Sequence, residues 1–150
     1  MYIGFASGVS DVDDFSNGRS VFVYTGYEIS DEFSLEIAYY NSGEFENNNL
    51  NVDLSSQGAI IQLTNTIPVN ERISLFGKVG VYIWDASFNS KVNLTNTLSA
   101  HGEDVHYTLG ASLHFTTNHV LTFDYSLIGL DLGSTEMDLK TFSVGWKYTF

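Results

Sequence analysis

Apolar and polar residues alternate along most of this chain, and the alternation defines its predicted elements. The segment Phe142-Ser143-Val144-Gly145-Trp146-Lys147-Tyr148-Thr149-Phe150 shows the pattern most clearly. Because strand side chains point alternately to opposite faces, one face carries only apolar or aromatic residues: Phe142, Val144, Trp146, Tyr148 and Phe150. The same period of two predicts eight strands, over residues 2–8, 20–29, 33–41, 52–66, 73–86, 105–116, 119–129 and 139–150.

The predicted connections alternate in length along the chain. Those at 30–32, 67–72 and 117–118 are short, whereas those at 9–19, 42–51, 87–104 and 130–138 are longer and polar. Transmembrane barrels have short periplasmic turns, longer external loops and an even strand number that places both termini in the periplasm. The pattern therefore predicts an all-β fold, an eight-stranded antiparallel up-and-down transmembrane β-barrel, as a single domain over residues 1–150.

A soluble lipocalin-like barrel alternates in the same way, with its apolar face turned inward. The polar faces distinguish the two folds, because a water-exposed surface carries about 25–35% charged residues. Here those faces consist mostly of Gly, Ser, Thr and Ala, which suit a narrow barrel interior. The second strand is ambiguous, since Val21 and Val23 alternate with Phe22 and Tyr24.

Composition removes several classes of function. The chain has no run of about 18 apolar residues, which excludes a transmembrane helix but not barrel strands. One proline and 13 glycines suit long strands, and the absence of cysteine excludes disulfides and thiolate metal sites. A net charge of −12 with six Lys and Arg argues against nucleic acid as a partner. We expect no cofactor, because phosphate-binding loops and catalytic triads are absent.

The amino-terminal segment gives an expectation about location. Residues 1–15 lack a basic region followed by an apolar core, so no signal peptide is visible. We expect a mature form whose signal peptide has been removed and whose Met1 was added for expression. The expected location is a bacterial outer membrane, with outer-membrane lipids as the first partner.

Four charged residues fall on the predicted interior faces: Glu36, Lys78, Asp124 and Lys147. Buried charges are costly unless they are paired, so the first interpretation is a structural network of ion pairs.

Three further candidates carry weaker signals. His114 on an inward face, with Ser112 and Ser126 as available partners, invites a lipid-hydrolase hypothesis, although no Glu or Asp joins it. Oxygen and imidazole groups that suit a divalent cation occur together at Asp85, His101, Glu103, Asp104 and His106. A second acidic group, at Asp11, Asp13 and Asp14, lacks the glycine and closing glutamate of a calcium loop. A solvated acidic surface explains both groups more simply, so no metal site is predicted.

Three parts of the chain carry a family resemblance. They are Phe33-Ser34-Leu35-Glu36-Ile37-Ala38-Tyr39-Tyr40, Leu75-Phe76-Gly77-Lys78-Val79-Gly80-Val81-Tyr82-Ile83-Trp84-Asp85 and the C-terminal strand. They resemble the OmpA-like outer-membrane β-barrel family, over nearly the whole chain. The resemblance implies that barrel-insertion machinery reads the C-terminal strand. It also implies that interior acid–base pairs, here Glu36, Lys78 and Asp124, could gate a small pore. Members often add a peptidoglycan-binding domain; this sequence matches the barrel alone, so that function is not expected.

These observations predict a non-enzymatic outer-membrane protein with a structural or accessory role. It would act as a membrane anchor or dock a protein partner through its barrel wall or acidic loops. The alternatives are a low-conductance pore, a surface-recognition protein or adhesin using 42–51 and 87–104, a lipid-modifying enzyme and a lipocalin-like carrier. Fold resemblance alone does not choose among functions that different sites can confer on one scaffold.

Overall fold

The computed structural model describes residues 1–12, 17–47, 52–90, 97–131 and 136–150. Its eight strands close into a barrel in which each strand pairs antiparallel with the next and the last pairs with the first. The predicted eight-stranded up-and-down barrel is therefore confirmed. The strands are β1 (Tyr2–Val12), β2 (Gly18–Glu28), β3 (Phe33–Asn47), β4 (Val52–Pro68), β5 (Ile73–Ser90), β6 (Thr97–His114), β7 (His119–Asp131) and β8 (Glu136–Thr149). None of the described residues lies in a helix long and apolar enough to cross a membrane.

The strands are longer than predicted at the end of the barrel where the long connections lie. β3 continues to Asn47, β5 continues to Ser90 and β6 begins at Thr97, so parts of the predicted connections 42–51 and 87–104 are strand. Side chains at this end no longer alternate between apolar and polar. Their backbone groups still pair with the neighbouring strands, so the strands continue beyond the end of the alternation. The boundaries predicted from the alternation were therefore wrong here.

The three short connections share one turn design. The side-chain oxygens of Ser30, Asn70 and Thr116 each accept hydrogen bonds from the backbone N–H groups two and three residues later, at 2.8–3.3 Å. Such side-chain turns hold a tight reversal of the chain without requiring glycine. The short connections mark the periplasmic end of the barrel, which we call the lower end.

The outward surface carries an apolar band of membrane-spanning height. On β5 the outward residues are apolar from Leu75 to Ile83 and become polar at Asp85, and transmembrane barrel strands need about 9–11 residues. The ambiguous strand β2 turns Val21 and Val23 outward, at 47% and 48% exposure, and buries its aromatic residues. The apolar face is thus outside, and a lipocalin-like arrangement is excluded.

A sheet formed by the upper parts of β3, β4, β5 and β6 continues above the apolar band, and we call it the protruding sheet. β4, β5 and β6 contain 17, 18 and 18 residues, whereas β1 and β2 contain 11 each. β6 pairs with β5 from Thr97 onward, but its described pairing with β7 starts only at His106. The segment Thr97–Val105 therefore has one side without a described partner strand, and we call it the open edge.

Candidate functional site

Glu36 is the centre of a hydrogen-bond network in the lower half of the barrel interior, where it is only 2% exposed. The Lys78 Nζ donates to its two carboxylate oxygens at 2.8 and 3.1 Å. The Tyr2 hydroxyl donates to Oε2 at 3.1 Å, and the Gln62 Nε2 donates to Oε1. Three other strands thus contribute donors to this one carboxylate, which compensates for its removal from water.

Two interior glycines allow these side chains to meet across an intervening strand. Gly26 pairs with both Tyr2 and Glu36, and a Cβ on Gly26 would lie 2.1 Å from the Tyr2 Cζ. Gly80 pairs with both Gln62 and His106, and a Cβ there would lie 2.5 Å from the Gln62 Cβ. The network therefore depends on the missing side chains at these two positions.

His106 extends the network from Gln62 on β4 to strands β6 and β7. Its Nδ1 lies 2.8 Å from the Gln62 Oε1, and its Nε2 lies 3.2 Å from the Thr108 Oγ1, which in turn lies 2.9 Å from the Ser126 Oγ. Because an amide oxygen only accepts, His106 donates from Nδ1 to the Gln62 Oε1. Its Nε2 forms the second contact, with the Thr108 hydroxyl, and so joins Gln62 to the Thr108–Ser126 pair.

The four charged residues predicted for the interior all lie there, but they do not form one network. Glu36 and Lys78 form a salt bridge. Asp124 instead accepts a hydrogen bond from the Ser143 hydroxyl at 2.5 Å. The Lys147 Nζ lies over the ring of Tyr2, 4.7 Å from its centroid.

Tyr2 and Gln62 were not among the candidate residues predicted from the sequence, and His106 was predicted only as a possible cation ligand. The alternation of β6 carried a usable signal, because His106 shares a face with Thr108. The cross-strand register was needed to bring Gln62 and His106 together. No pattern within a single strand gives that register.

Aromatic side chains fill the upper half of the interior, and we call Phe22, Tyr40, Tyr82 and Trp84 the aromatic plug. The rings of Phe22 and Tyr40 have centroids 4.4 Å apart, and those of Tyr40 and Tyr82 are 5.5 Å apart. All four side chains are at most 6% exposed. The rings are therefore in packing contact and fill this part of the barrel interior.

Polar groups of the aromatic plug are satisfied within the barrel. The Tyr40 hydroxyl lies 3.1 Å from the Ser10 Oγ and 3.2 Å from the Thr141 Oγ1. The Trp84 Nε1 donates to the Asp104 Oδ2 at 2.6 Å. These hydrogen bonds join the aromatic plug to strands β1, β6 and β8.

Two cavities of about 20 Å³ each flank the Glu36–Lys78 pair. The lower cavity is lined by Tyr2, Thr64 and Lys147, and the upper by His106 and Asp124, among other residues. A water molecule needs about 10–15 Å³ by this kind of measure, so each cavity fits about one water.

The apolar face of the C-terminal strand points outward, as the alternation predicts. Phe142, Val144, Trp146 and Phe150 are exposed, whereas Tyr148 is half-buried. The Trp146 ring stacks on His119 at 5.5 Å between centroids, and Tyr148 contacts Phe150 at 5.2 Å. Aromatic residues at this end of the wall suit the membrane interface. Their reading by insertion machinery stays a prediction.

The residues of the possible cation site lie on opposite faces of the wall. Asp85, His101 and Glu103 are exposed and point outward, whereas Asp104 and His106 point inward. Asp11 lies on β1, and Asp13 and Asp14 fall outside the described residues. Within the described part of the chain, no group of three or more His, Asp or Glu residues is placed to hold a metal ion.

His114 points inward at the lower end, where its Nε2 lies 3.3 Å from the Ser74 Oγ. Neither predicted partner contacts it among the described residues, because Ser126 bonds to Thr108 and Ser112 lies two residues away on the same strand. The Ser74–His114 pair faces the barrel interior and not the lipid.

Comparisons with known proteins agree with the geometry. A family model, the OmpA-like transmembrane domain, matches residues 2–130. Ail, the attachment invasion locus protein of Yersinia pestis, in a complex with the heparin analogue sucrose octasulfate, is 22% identical with a TM-score of 0.67, covering 99% of this chain and 95% of Ail. Neisserial surface protein A is 15% identical with a TM-score of 0.77, covering 99% and 96%.

A third solved structure, the outer membrane enzyme PagL, is 12% identical with a TM-score of 0.59, and 100% of each chain is covered. At these identities the three structures share the fold. No curated protein matches the chain in sequence. The closed barrel, its outward apolar band and the family match over most of its length lead to one conclusion: the chain belongs to the OmpA-like family of bacterial outer-membrane β-barrels.

Proposed function

We propose that this protein is a non-conducting outer-membrane anchor that docks a basic protein partner through the open edge of β6. The observation that carries the proposal is the position of the open edge, above a barrel whose interior is filled by side chains. An unpaired strand edge is a template for another strand, and proteins usually blunt or cover it. Strand addition is an established mode of peptide recognition.

The backbone groups of the open edge point away from β5 at alternate residues. The N–H of His114 donates toward β5, to the Arg72 carbonyl at 2.7 Å, and the N–H of Phe115 donates toward β7, to the His119 carbonyl at 3.0 Å. Successive residues alternate in this direction, so odd-numbered residues of β6 face the β7 side. Within Thr97–Val105 no described strand pairs with the N–H and C=O groups of these odd-numbered residues, and an added strand would bond to them.

The opposite edge of the protruding sheet, on β3, is less suitable. Its described pairing with β2 ends at Asn41, and a register shift between Asn41 and Glu44 follows. Gly43 in this bulge has a φ of 73°, a left-handed conformation that glycine adopts readily. Bulges of this kind twist an edge away from further pairing. β6 shows no such shift against β5.

Charge favours a basic partner over a second copy of this chain. Asp85 and Glu103 are exposed beside the open edge, and the chain carries a net charge of −12. Two copies in one membrane have the same orientation, so their edges run in the same direction and carry the same charges. A peptide with basic side chains at alternate positions pairs with the edge and neutralises these carboxylates.

The test uses the barrel in lipid nanodiscs and a synthetic peptide that alternates lysine with threonine, with binding measured by fluorescence anisotropy. His101→Pro removes an N–H that faces the open side, whereas His101→Ala keeps it. We expect His101→Pro to weaken binding about tenfold or more and His101→Ala to bind normally. Equal binding by both variants, each shown to be folded by its gel mobility before boiling, would refute strand addition.

A conducting pore is the alternative that the interior argues against. The aromatic plug and the Glu36–Lys78 pair leave cavities of about 20 Å³ around that pair, too small for a hydrated ion. In planar bilayers we expect negligible current, unchanged by Lys78→Met. The double variant Tyr40→Ala/Tyr82→Ala serves as an opened control. Steady single-channel current through the wild type that Lys78→Met alters would overturn the closed interior.

The solved relatives suggest two further tests of the proposal. Ail was crystallised with a heparin analogue, but this chain has 18 acidic residues against six Lys and Arg. We therefore expect no binding of sucrose octasulfate at physiological salt. PagL is an enzyme of the same fold. Because Ser74 and His114 face the interior, we expect the wild type to release no fatty acid from lipopolysaccharide; release that His114→Ala abolishes would establish an enzyme.

A further inference from the structure

The lower cavity combines a small volume with an excess of positive charge. It measures about 20 Å³ and is lined by the ammonium-bearing side chains of Lys78 and Lys147 and by the carboxylate of Glu36. The oxygens of Glu36 already accept hydrogen bonds from Tyr2, Gln62 and Lys78. The local balance is therefore one positive charge in a chain of net charge −12.

Lys147 supplies that charge. Its Nζ lies over the ring of Tyr2, and no carboxylate among the described residues forms a salt bridge with it. Asp124, the other acidic residue of the interior, is hydrogen-bonded to Ser143 in a different part of the lumen and lines the other cavity. Lys147 is half-buried, and a cation partly removed from water is stabilised by a counter-charge.

Thr64 points to the same place. It is 5% exposed, lines the lower cavity, and its Oγ1 has no hydrogen-bond partner among the described residues. Buried hydroxyl groups are nearly always hydrogen-bonded, so an unpaired one in a cavity indicates a bound species. The hydroxyls of Ser34 and Thr122 also line this space. All of these hydroxyls can donate.

We propose that the lower cavity binds one small monatomic anion, of the size of chloride, between the Lys147 ammonium and the Thr64 hydroxyl. The volume admits about one water-sized species, which favours a monatomic anion over phosphate or a carboxylate. The anion neutralises the excess charge and satisfies the free hydroxyl. Water satisfies the hydroxyl but leaves the charge uncompensated. Access is from the lower end, where Ser34 follows the first short turn.

The experiment measures the broadening of the chloride NMR line by the barrel refolded in detergent micelles, with empty micelles as the blank. We expect excess broadening that bromide displaces and sulfate does not. Lys147→Met should weaken binding about tenfold or more, the usual effect of losing a charge-assisted hydrogen bond. Lys140→Met, which removes the same charge from the outward side of β8, should leave it unchanged.

Thr64→Val tests the site without altering charge, and it covers the case in which Lys147→Met fails to refold. It should also weaken chloride binding. Three results would overturn the proposal: no excess broadening in the wild type, equal displacement by sulfate, or wild-type binding in a folded Thr64→Val or Lys147→Met variant. The first result would mean that water occupies the cavity. These readings do not depend on whether the open edge binds a peptide.

Discussion

The Glu36–Lys78 salt bridge allows a quantitative test of the interior network. Glu36 is 2% exposed and its carboxylate oxygens lie 2.8 and 3.1 Å from the Lys78 Nζ. Removing one partner of a buried pair costs about 3–5 kcal/mol, because the other charge is left uncompensated. Replacing both with uncharged side chains of similar volume is often neutral. We therefore expect a large loss of stability from Lys78→Met alone and its recovery in Glu36→Gln/Lys78→Met.

The assay is urea unfolding of the barrel in lipid vesicles, followed by tryptophan fluorescence, for the wild type, both single variants and the double variant. The double-mutant cycle isolates the coupling between the two residues. The two remaining Glu36 donors, Tyr2 and Gln62, stay in place in Lys78→Met, so the loss should lie toward the lower end of the range. Arg72→Met on an exposed turn is the control and should change stability by no more than about 0.5 kcal/mol.

Two results would refute this reasoning. If Lys78→Met is as stable as the wild type, water reaches the Glu36 carboxylate and the interior is more open than the packing indicates. If the double variant is as unstable as Lys78→Met, the loss comes from packing of the lysine stem and not from the uncompensated charge. The first result would also weaken the proposed closed interior.

Three other changes probe the barrel wall. Gly58→Ala should cost about 1–3 kcal/mol of stability in the same urea assay, because its Cβ would lie 2.0 Å from the Ile83 carbonyl oxygen. Gly129→Ala is the control and should cost nothing, since its Cβ would meet nothing within 4 Å. Equal effects of the two variants would contradict the packing argument. Asn70→Ala should cost about 1 kcal/mol by removing two turn hydrogen bonds of 2.8 and 2.9 Å, and a neutral result would show that the turn holds without them. Deleting Phe150 should slow insertion into membranes containing the insertion machinery, measured by heat-modifiable gel mobility; an unchanged rate would mean that the last residue is not read.

Much of the fold follows from the sequence because one side chain in two must face lipid. Within the band, Leu75 to Ile83 on β5 keep the period of two, so strands and faces are predictable there. β2 was ambiguous because both of its faces are apolar. The structure buries Phe22 and Tyr24, since small facing residues leave room for large rings: Tyr24 lies over Gly4.

The interior network was only partly predictable for a physical reason. Alternation showed that Glu36 and Lys78 point inward, but it did not show that they meet, since they lie on strands β3 and β5. Contact across an intervening strand depends on register and on small residues between the partners. Gly80, between Gln62 and His106, is such a residue, and its role appears only once the strands are paired.

The closed barrel and the open edge follow from the same rule about backbone hydrogen bonds. Inside the membrane no water can satisfy an unpaired N–H or C=O, so every strand there must have two neighbours. On β6 the pairing with β7 starts at His106, and the outward apolar residues end next to it, at Val105. Just above, Glu103 is exposed, and water there can satisfy an unpaired backbone. Among the described residues the open edge therefore lies just above the apolar band, and in the proposed docking mode a partner strand displaces only water there.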